Sequence, residues 1–174
     1  QALMKEDEHS NNVAVGASAL QTQNAGAHAY NTAVGFEALT ANTTGTATVA
    51  IGAQALDANT TGASNVGVGN NALGANTTAG NNTAVGTDAL AANTTGAYNV
   101  AIGALALDAA TTANSNTGVG YGVLSNATTG AENTAMGVNA AQALTTGGNN
   151  VAIGTNALVA NTTAGTNTAI GSSA

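Results

Sequence analysis

A glycine recurs every 17 residues along most of this chain, from Gly35 to Gly171. Each of these glycines closes a phrase of the type Asn-(Thr/Val)-Ala-(Val/Ile)-Gly. The first phrase ends at Gly16 and is out of step, because the stretch from Gln23 to His28 carries two additional residues. A fixed short period is typical of proteins that stack one structural unit many times. The spacing therefore predicts an elongated protein built from about ten copies of one unit.

The composition also favours repetition over a compact domain. Hydrophobic residues make up 44% of the 174 residues, but 42 of them are alanine, and the chain has no Trp, one Phe and three Tyr. A compact domain with so few large side chains could not offset a conformational entropy of about 1–2 kcal/mol per residue. We therefore expect stacking of repeats, or association of copies, to supply the remaining stability.

The phrase before each glycine predicts a β-strand. Successive side chains of a strand point to opposite faces, so Val49 and Ile51 share one face and Ala50 lies on the other. The residue just before the glycine is apolar in all ten phrases, and we predict that this rank faces the interior. The residue one place earlier is always Ala or Gly, which we interpret as a face that another copy approaches closely. The candidate oligomer-face residues are Ala33, Ala50, Gly67, Ala84, Ala101, Gly118, Ala135, Ala152 and Ala169.

A second apolar rank follows each glycine, and the residues after it carry the turn. This rank is leucine in nearly every repeat, with Ala141 as the interruption, and Asn-Thr-Thr-Gly supplies the turn. Two short strands and two turns per unit predict an all-β fold, a parallel β-solenoid of about ten 17-residue coils over residues 11–174. Residues 1–10 are predicted to form an N-terminal linker or charged cap. Stacking of the coils would place identical Asn and Thr residues in columns that hydrogen-bond along the axis.

The charge distribution excludes several partners. Lys5 is the only basic residue against eight acids, so the chain cannot neutralise nucleic-acid phosphates or anionic membranes. The sequence contains no run of about 18 apolar residues, the length needed to span a bilayer. The chain has no Cys, and His9 and His28 share no ligand spacing, so we predict neither a metal site nor a cofactor.

The acidic residues do not converge on a catalytic site. Asp57 and Asp108 occupy the same place in the repeat but lie three coils apart, about 14 Å at the spacing of strands. Glycosidase carboxyl pairs are separated by about 5–9.5 Å. Glu37 and Asp57, on neighbouring coils, are the close candidates, and we predict a protein that is not an enzyme. Binding specificity is expected where the repeats differ, and the candidate ligand-facing residues are Phe36, Glu37, Asp88, Tyr98, Tyr121 and Glu132.

The repeated phrase resembles known fibre proteins. Asn99–Gly103, which reads N-V-A-I-G, is similar to the signature of the YadA-like heads of trimeric autotransporter adhesins. The longer unit Asn31–Gly45 resembles repeats of bacteriophage tail-fibre proteins. The resemblance implies a left-handed parallel β-roll, three chains side by side, and an extracellular, cell-surface or virion location. It also implies attachment to a surface, with a cell-surface or glycan receptor as the partner.

Two other functions stay open at the level of sequence. The chain stops within a repeat and without a polar cap, which favours a self-polymerising extracellular filament subunit. Ice binding is the second alternative, because a regular solenoid can present columns of threonine. Such a surface needs two outward threonine ranks separated by one inward residue, whereas the adjacent pairs, such as Thr43 and Thr44, would place only one threonine of each pair outward in a strand. Ice binding is therefore the less favoured of the two alternatives.

Overall fold

The computed structural model describes residues 11–24 and 28–174, so the predicted segment 1–10 lies outside the described residues. The described chain is all-β, with ten parallel strands of three residues in one sheet and no helix. The strands are β1 (Val13–Val15), β2 (Thr32–Val34), β3 (Val49–Ile51), β4 (Val66–Val68), β5 (Thr83–Val85), β6 (Val100–Ile102), β7 (Thr117–Val119), β8 (Thr134–Met136), β9 (Val151–Ile153) and β10 (Thr168–Ile170).

Consecutive strands pair in exact repeat register. The sheet order runs from β1 to β10 without a crossover, and Ala84 of β5 pairs with Ala101 of β6, its equivalent in the next repeat. Each coil of the chain thus returns to lie beside the previous one, which makes a β-solenoid of about nine turns. Nine steps of about 4.8 Å give a rod about 43 Å long. The predicted solenoid and its 17-residue coil are confirmed.

The inward and outward faces of each strand are the reverse of the prediction. The middle residues Ala84 and Ala101 are completely buried, whereas Ile102 is 41% exposed. The interior is too narrow for larger groups: a methyl group added at Gly67 would lie 3.0 Å from Cδ1 of Leu56 on the opposite wall. The small residues do mark a close approach, but the approaching layer is the other wall of the same coil.

The leucine rank forms that other wall, although it is not a strand. Leu39 and its neighbour Ala38 are both completely buried, which the alternation of a strand does not allow. Leu39 has a φ of 55°, and this left-handed conformation turns both side chains inward. Neighbouring coils still bond here, since the Leu39 N–H donates to the Ala55 carbonyl at 3.0 Å. Each coil therefore has one strand, and the prediction of two strands per coil was wrong.

A column of buried asparagines precedes the strands and ties the coils together. The Asn99 N–H donates to Oδ1 of Asn82 at 2.9 Å, and Asn99 Nδ2 donates to the Ala113 carbonyl at 2.7 Å. Asn99 Oδ1 in turn accepts the N–H of Asn116 at 3.0 Å. The same pattern recurs along the rod, so each side chain satisfies backbone groups that water cannot reach. The predicted axial column is confirmed, and we call it the asparagine column. Its members are Asn12, Asn31, Asn65, Asn82, Asn99, Asn116, Asn133, Asn150 and Asn167, with Thr48 in the remaining place.

A shorter second column lies on the other side of the interior and begins at the irregular loop. Asn59 Nδ2 donates to Oδ1 of Asn42 at 3.0 Å, and the pattern continues to Asn93. Gln23, which is 1% exposed, occupies the equivalent place in the first coil. Its Oε1 accepts from Nδ2 of both Asn31 and Asn42. The longer side chain thus completes the column where the repeat has extra residues, of which 25–27 lie outside the described residues.

One coil exchanges the residues of its two inner ranks. Ala141 stands in the leucine rank, while Leu144 stands in the place that asparagine occupies in the second column. Leu144 is completely buried and Ala141 is 1% exposed. The large side chain has therefore moved three residues along the coil, and the interior volume is conserved.

Asn99→Ala should destabilise the fold strongly. The change leaves the Asn116 N–H and the Ala113 carbonyl without their buried partners, at a cost of about 2–4 kcal/mol. Thermal and urea unfolding followed by circular dichroism measure the loss. The matched control is Asn126→Ala, because Asn126 is exposed, its side chain bonds to nothing among the described residues, and alanine stands at the equivalent place in neighbouring coils. Equal stability of the two variants would contradict the role of the asparagine column.

Candidate functional surface

The outer side of the ten-stranded sheet is the most distinctive surface of the described chain. We call it the sheet face, and it consists of the first and third residues of each strand. The first residue is Val or Thr in every strand. The third residues are Val15, Val34, Ile51, Val68, Val85, Ile102, Val119, Met136, Ile153 and Ile170.

The sheet face exposes large aliphatic side chains without any charge. Met136 is 48% exposed and Ile102 is 41% exposed. Because the strands are parallel and in register, equivalent side chains follow one another at intervals of about 4.8 Å. The third residues therefore form an uninterrupted apolar column along the rod, in which Val34, Val68 and Val119 are half-buried and the others are exposed. Contiguous exposed apolar surface of this kind marks a site of interaction with another molecule.

The candidate oligomer-face residues do not lie on the surface, and that prediction was wrong. They face the interior of the coil, because only Ala and Gly fit opposite the leucine wall. The buried residues are Ala33, Ala50, Gly67, Ala84, Ala101, Gly118, Ala135 and Ala152, and Ala169 in the last strand is half-buried. The alternation of the strand defines two faces but does not say which one is inside. The apolar rank that remains free for a partner is the Val/Ile rank.

The candidate ligand-facing residues are accessible but dispersed. Phe36 and Tyr121, 53% and 54% exposed, each directly follow the glycine that recurs once per coil, which we call the column glycine. They lie at one edge of the sheet face. Tyr98, 65% exposed, and the exposed Glu132 lie at the corner before the strand, on coils two repeats apart. The remaining two are half-buried and bonded to neighbouring coils. Glu37 Oε2 accepts from Gln54 Nε2 at 3.2 Å, and Asp88 Oδ1 accepts from Asn71 Nδ2 at 2.7 Å. The structure therefore does not bring these residues into one site.

The carboxylates form two equivalent neighbour pairs rather than one. Burial raises the pKa of Asp57, and the neighbouring Glu37 carboxylate raises it further against backbone hydrogen bonds that lower it. Burial likewise raises the pKa of Asp108, with Asp88 as the neighbouring carboxylate. The second pair has the same 20-residue separation as the first, so the sequence does carry a signal for it. Since ionisation of these groups opposes folding, their contribution to stability improves as pH falls through the folded-state pKa.

The described residues offer no enclosed site for chemistry. They contain no pocket, and no group of three or more His, Asp or Glu residues that could hold a metal ion. No helix among them is long and apolar enough to cross a membrane.

Comparison of the chain with protein-family models, with curated proteins and with solved structures returned no match.

Ala84→Leu should destabilise the protein, whereas Val85→Leu should not. Three extra carbons in the narrow interior cost about 1–3 kcal/mol or more through overpacking, while the same side chain fits on the open sheet face. Chemical unfolding of the two single variants compares them directly. If Val85→Leu proved the more damaging change, the assignment of the two faces would be wrong.

Proposed function

We propose that this chain is a non-enzymatic, self-associating fibre segment that serves in attachment to a surface. The single observation that carries the proposal is the exposed, uncharged and uninterrupted sheet face. An isolated rod would leave this face in water, and covering it with a second copy removes aliphatic surface at a gain of about 25 cal/mol per Å². The partner is therefore the chain itself.

The shape of the face suits association side by side. It repeats once per coil and runs along the rod, so an equivalent face on another copy can lie against it. A closed arrangement of identical copies about one axis buries every such face without leaving an open one. The resemblance to adhesin heads and tail fibres favours three copies, with the sheet faces turned toward the shared axis.

Attachment would then use the residues that differ from coil to coil. Phe36, Tyr98 and Tyr121 are exposed aromatic side chains away from the interior. Aromatic rings combine a large apolar surface with geometric specificity and are enriched at interfaces. A cell-surface or glycan receptor is the class of partner we propose for them, in an extracellular or virion setting.

Introducing charge on the sheet face should abolish self-association without unfolding the coil. Val85 and Ile102 are paired on neighbouring strands, and both are more than a third exposed. We expect Val85→Glu/Ile102→Glu to be folded by circular dichroism and monomeric by multi-angle light scattering. The matched control is Ser64→Glu/Ser115→Glu, which adds the same charge at exposed positions off the sheet face.

The wild-type mass distinguishes the alternatives. A fixed mass of three chains supports the side-by-side trimer, and open-ended growth with concentration supports the filament alternative. A wild-type protein that stays monomeric at high concentration would contradict self-association, as would a double Glu variant that associates like the control.

A further inference from the structure

A second surface of the rod is uniform in a different way. It comprises the outward side chains of the turn that carries the Thr-Thr pairs, and we call it the Ala/Thr strip. In each of eight coils it contains two successive threonines that are both at least partly exposed, because the pair lies in a turn and not in a strand. The first threonine is half-buried in six coils and exposed at Thr43 and Thr162, the second is exposed in all eight, and the flanking residues are mostly Ala or Gly. The exposed threonines are Thr44, Thr61, Thr78, Thr95, Thr112, Thr129, Thr146 and Thr163.

The two threonines of each pair have different roles. The first holds neighbouring coils together, since Thr60 Oγ1 donates to the Thr77 carbonyl at 3.0 Å and Thr94 Oγ1 to the Thr111 carbonyl at 3.0 Å. The second has no such role. Among the described residues, none of the eight exposed threonines makes a side-chain hydrogen bond. Their hydroxyl groups are directed to solvent.

The fold does not explain why the exposed position is always threonine. Other exposed positions vary freely between coils: the residue after the column glycine is Phe36, Ala53, Asn70, Thr87 or Tyr121. The repeats have therefore diverged where the side chain is free. A side chain that is free and still invariant in eight coils requires another reason, and recognition of a ligand by the threonines provides one.

The Ala/Thr strip is also neutral and free of bulky groups. Every acidic and aromatic residue of the described chain lies outside it. Within the segments 43–46, 60–63, 77–80, 94–97, 111–114, 128–131, 145–148 and 162–165, each residue is Thr, Ala, Gly or, once, Asn. A receptor that is charged, or that stacks on aromatic rings, would find no complementary group there.

We propose that the Ala/Thr strip is an ice-binding surface. Each exposed threonine presents one methyl group and one free hydroxyl group, so it can order water around the methyl and bond to the same water through the hydroxyl. The coils hold these groups about 4.8 Å apart, close to the repeat of water oxygens along the a axis of ice. The asparagine column and the backbone bonds between coils keep this spacing rigid, so binding costs little ordering of the protein. The strip lies apart from the sheet face, and the two surfaces are therefore tested separately.

The test compares the freezing behaviour of the wild-type protein with that of Thr78→Lys/Thr95→Lys. We expect the wild type to show thermal hysteresis and faceted ice crystals in a nanolitre osmometer, and the variant to lose both. Ser64→Lys/Ser115→Lys is the control, because it adds the same charge at exposed positions outside the strip. Circular dichroism and light scattering on all three proteins report folding and mass.

Three results would overturn the proposal. The first is a folded wild type without thermal hysteresis or ice shaping, and the second is a strip variant that keeps the activity of the control. The third is a strip variant whose mass falls below that of the wild type, because the strip would then be a contact between copies. A monomeric wild type that shapes ice would reject self-association and leave the ice-binding proposal standing.

Discussion

The close registry between neighbouring coils is the constraint on which the rest of the structure depends. Every coil must repeat its backbone path at about 4.8 Å from the last, because strand, turn and asparagine bonds all run between coils. The glycine column shows how close this approach is. Gly86 has a φ of +140°, and a methyl group there would lie 2.5 Å from the carbonyl of Gly103. Only glycine fits such a position, which explains why a glycine recurs once in every coil.

The same registry produces a thin interior and leaves the larger side chains of the strands on the outside. The space between the strand and the leucine wall admits Ala or Gly on one side and Leu on the other, with amide side chains filling the corners. The larger aliphatic residues of the strand are consequently outside, where they form the sheet face. The chain thus has two long uniform surfaces, one aliphatic and one of alanine and threonine.

Much of this fold follows from the sequence, since identical residues at a fixed period must occupy identical places in stacked coils. The strands, the buried leucines and the axial asparagine bonds are predictable on that ground. Which face of the strand points inward is not predictable, because the alternation in Val-Ala-Ile is compatible with either face inside. What decides it is the width of the interior, which depends on the left-handed backbone at Leu39 and its equivalents. Leucine rarely adopts that conformation, so neither the single strand per coil nor the reversed faces could be read from propensities. The exchange between Ala141 and Leu144 is similarly a matter of shared volume, which only the folded coil shows.

The accessibility of two neighbouring strand residues tests most directly which face of the strand lies outside and is covered by another copy. The chain contains no cysteine, so Ala101→Cys and Ile102→Cys each carry a single thiol whose reaction with a maleimide reports its exposure. We expect the thiol of Ala101→Cys to be protected at all concentrations, and that of Ile102→Cys to react rapidly in dilute protein and to become protected as the concentration rises. Rapid reaction at 101 with protection at 102 in dilute monomer would contradict this assignment of the faces.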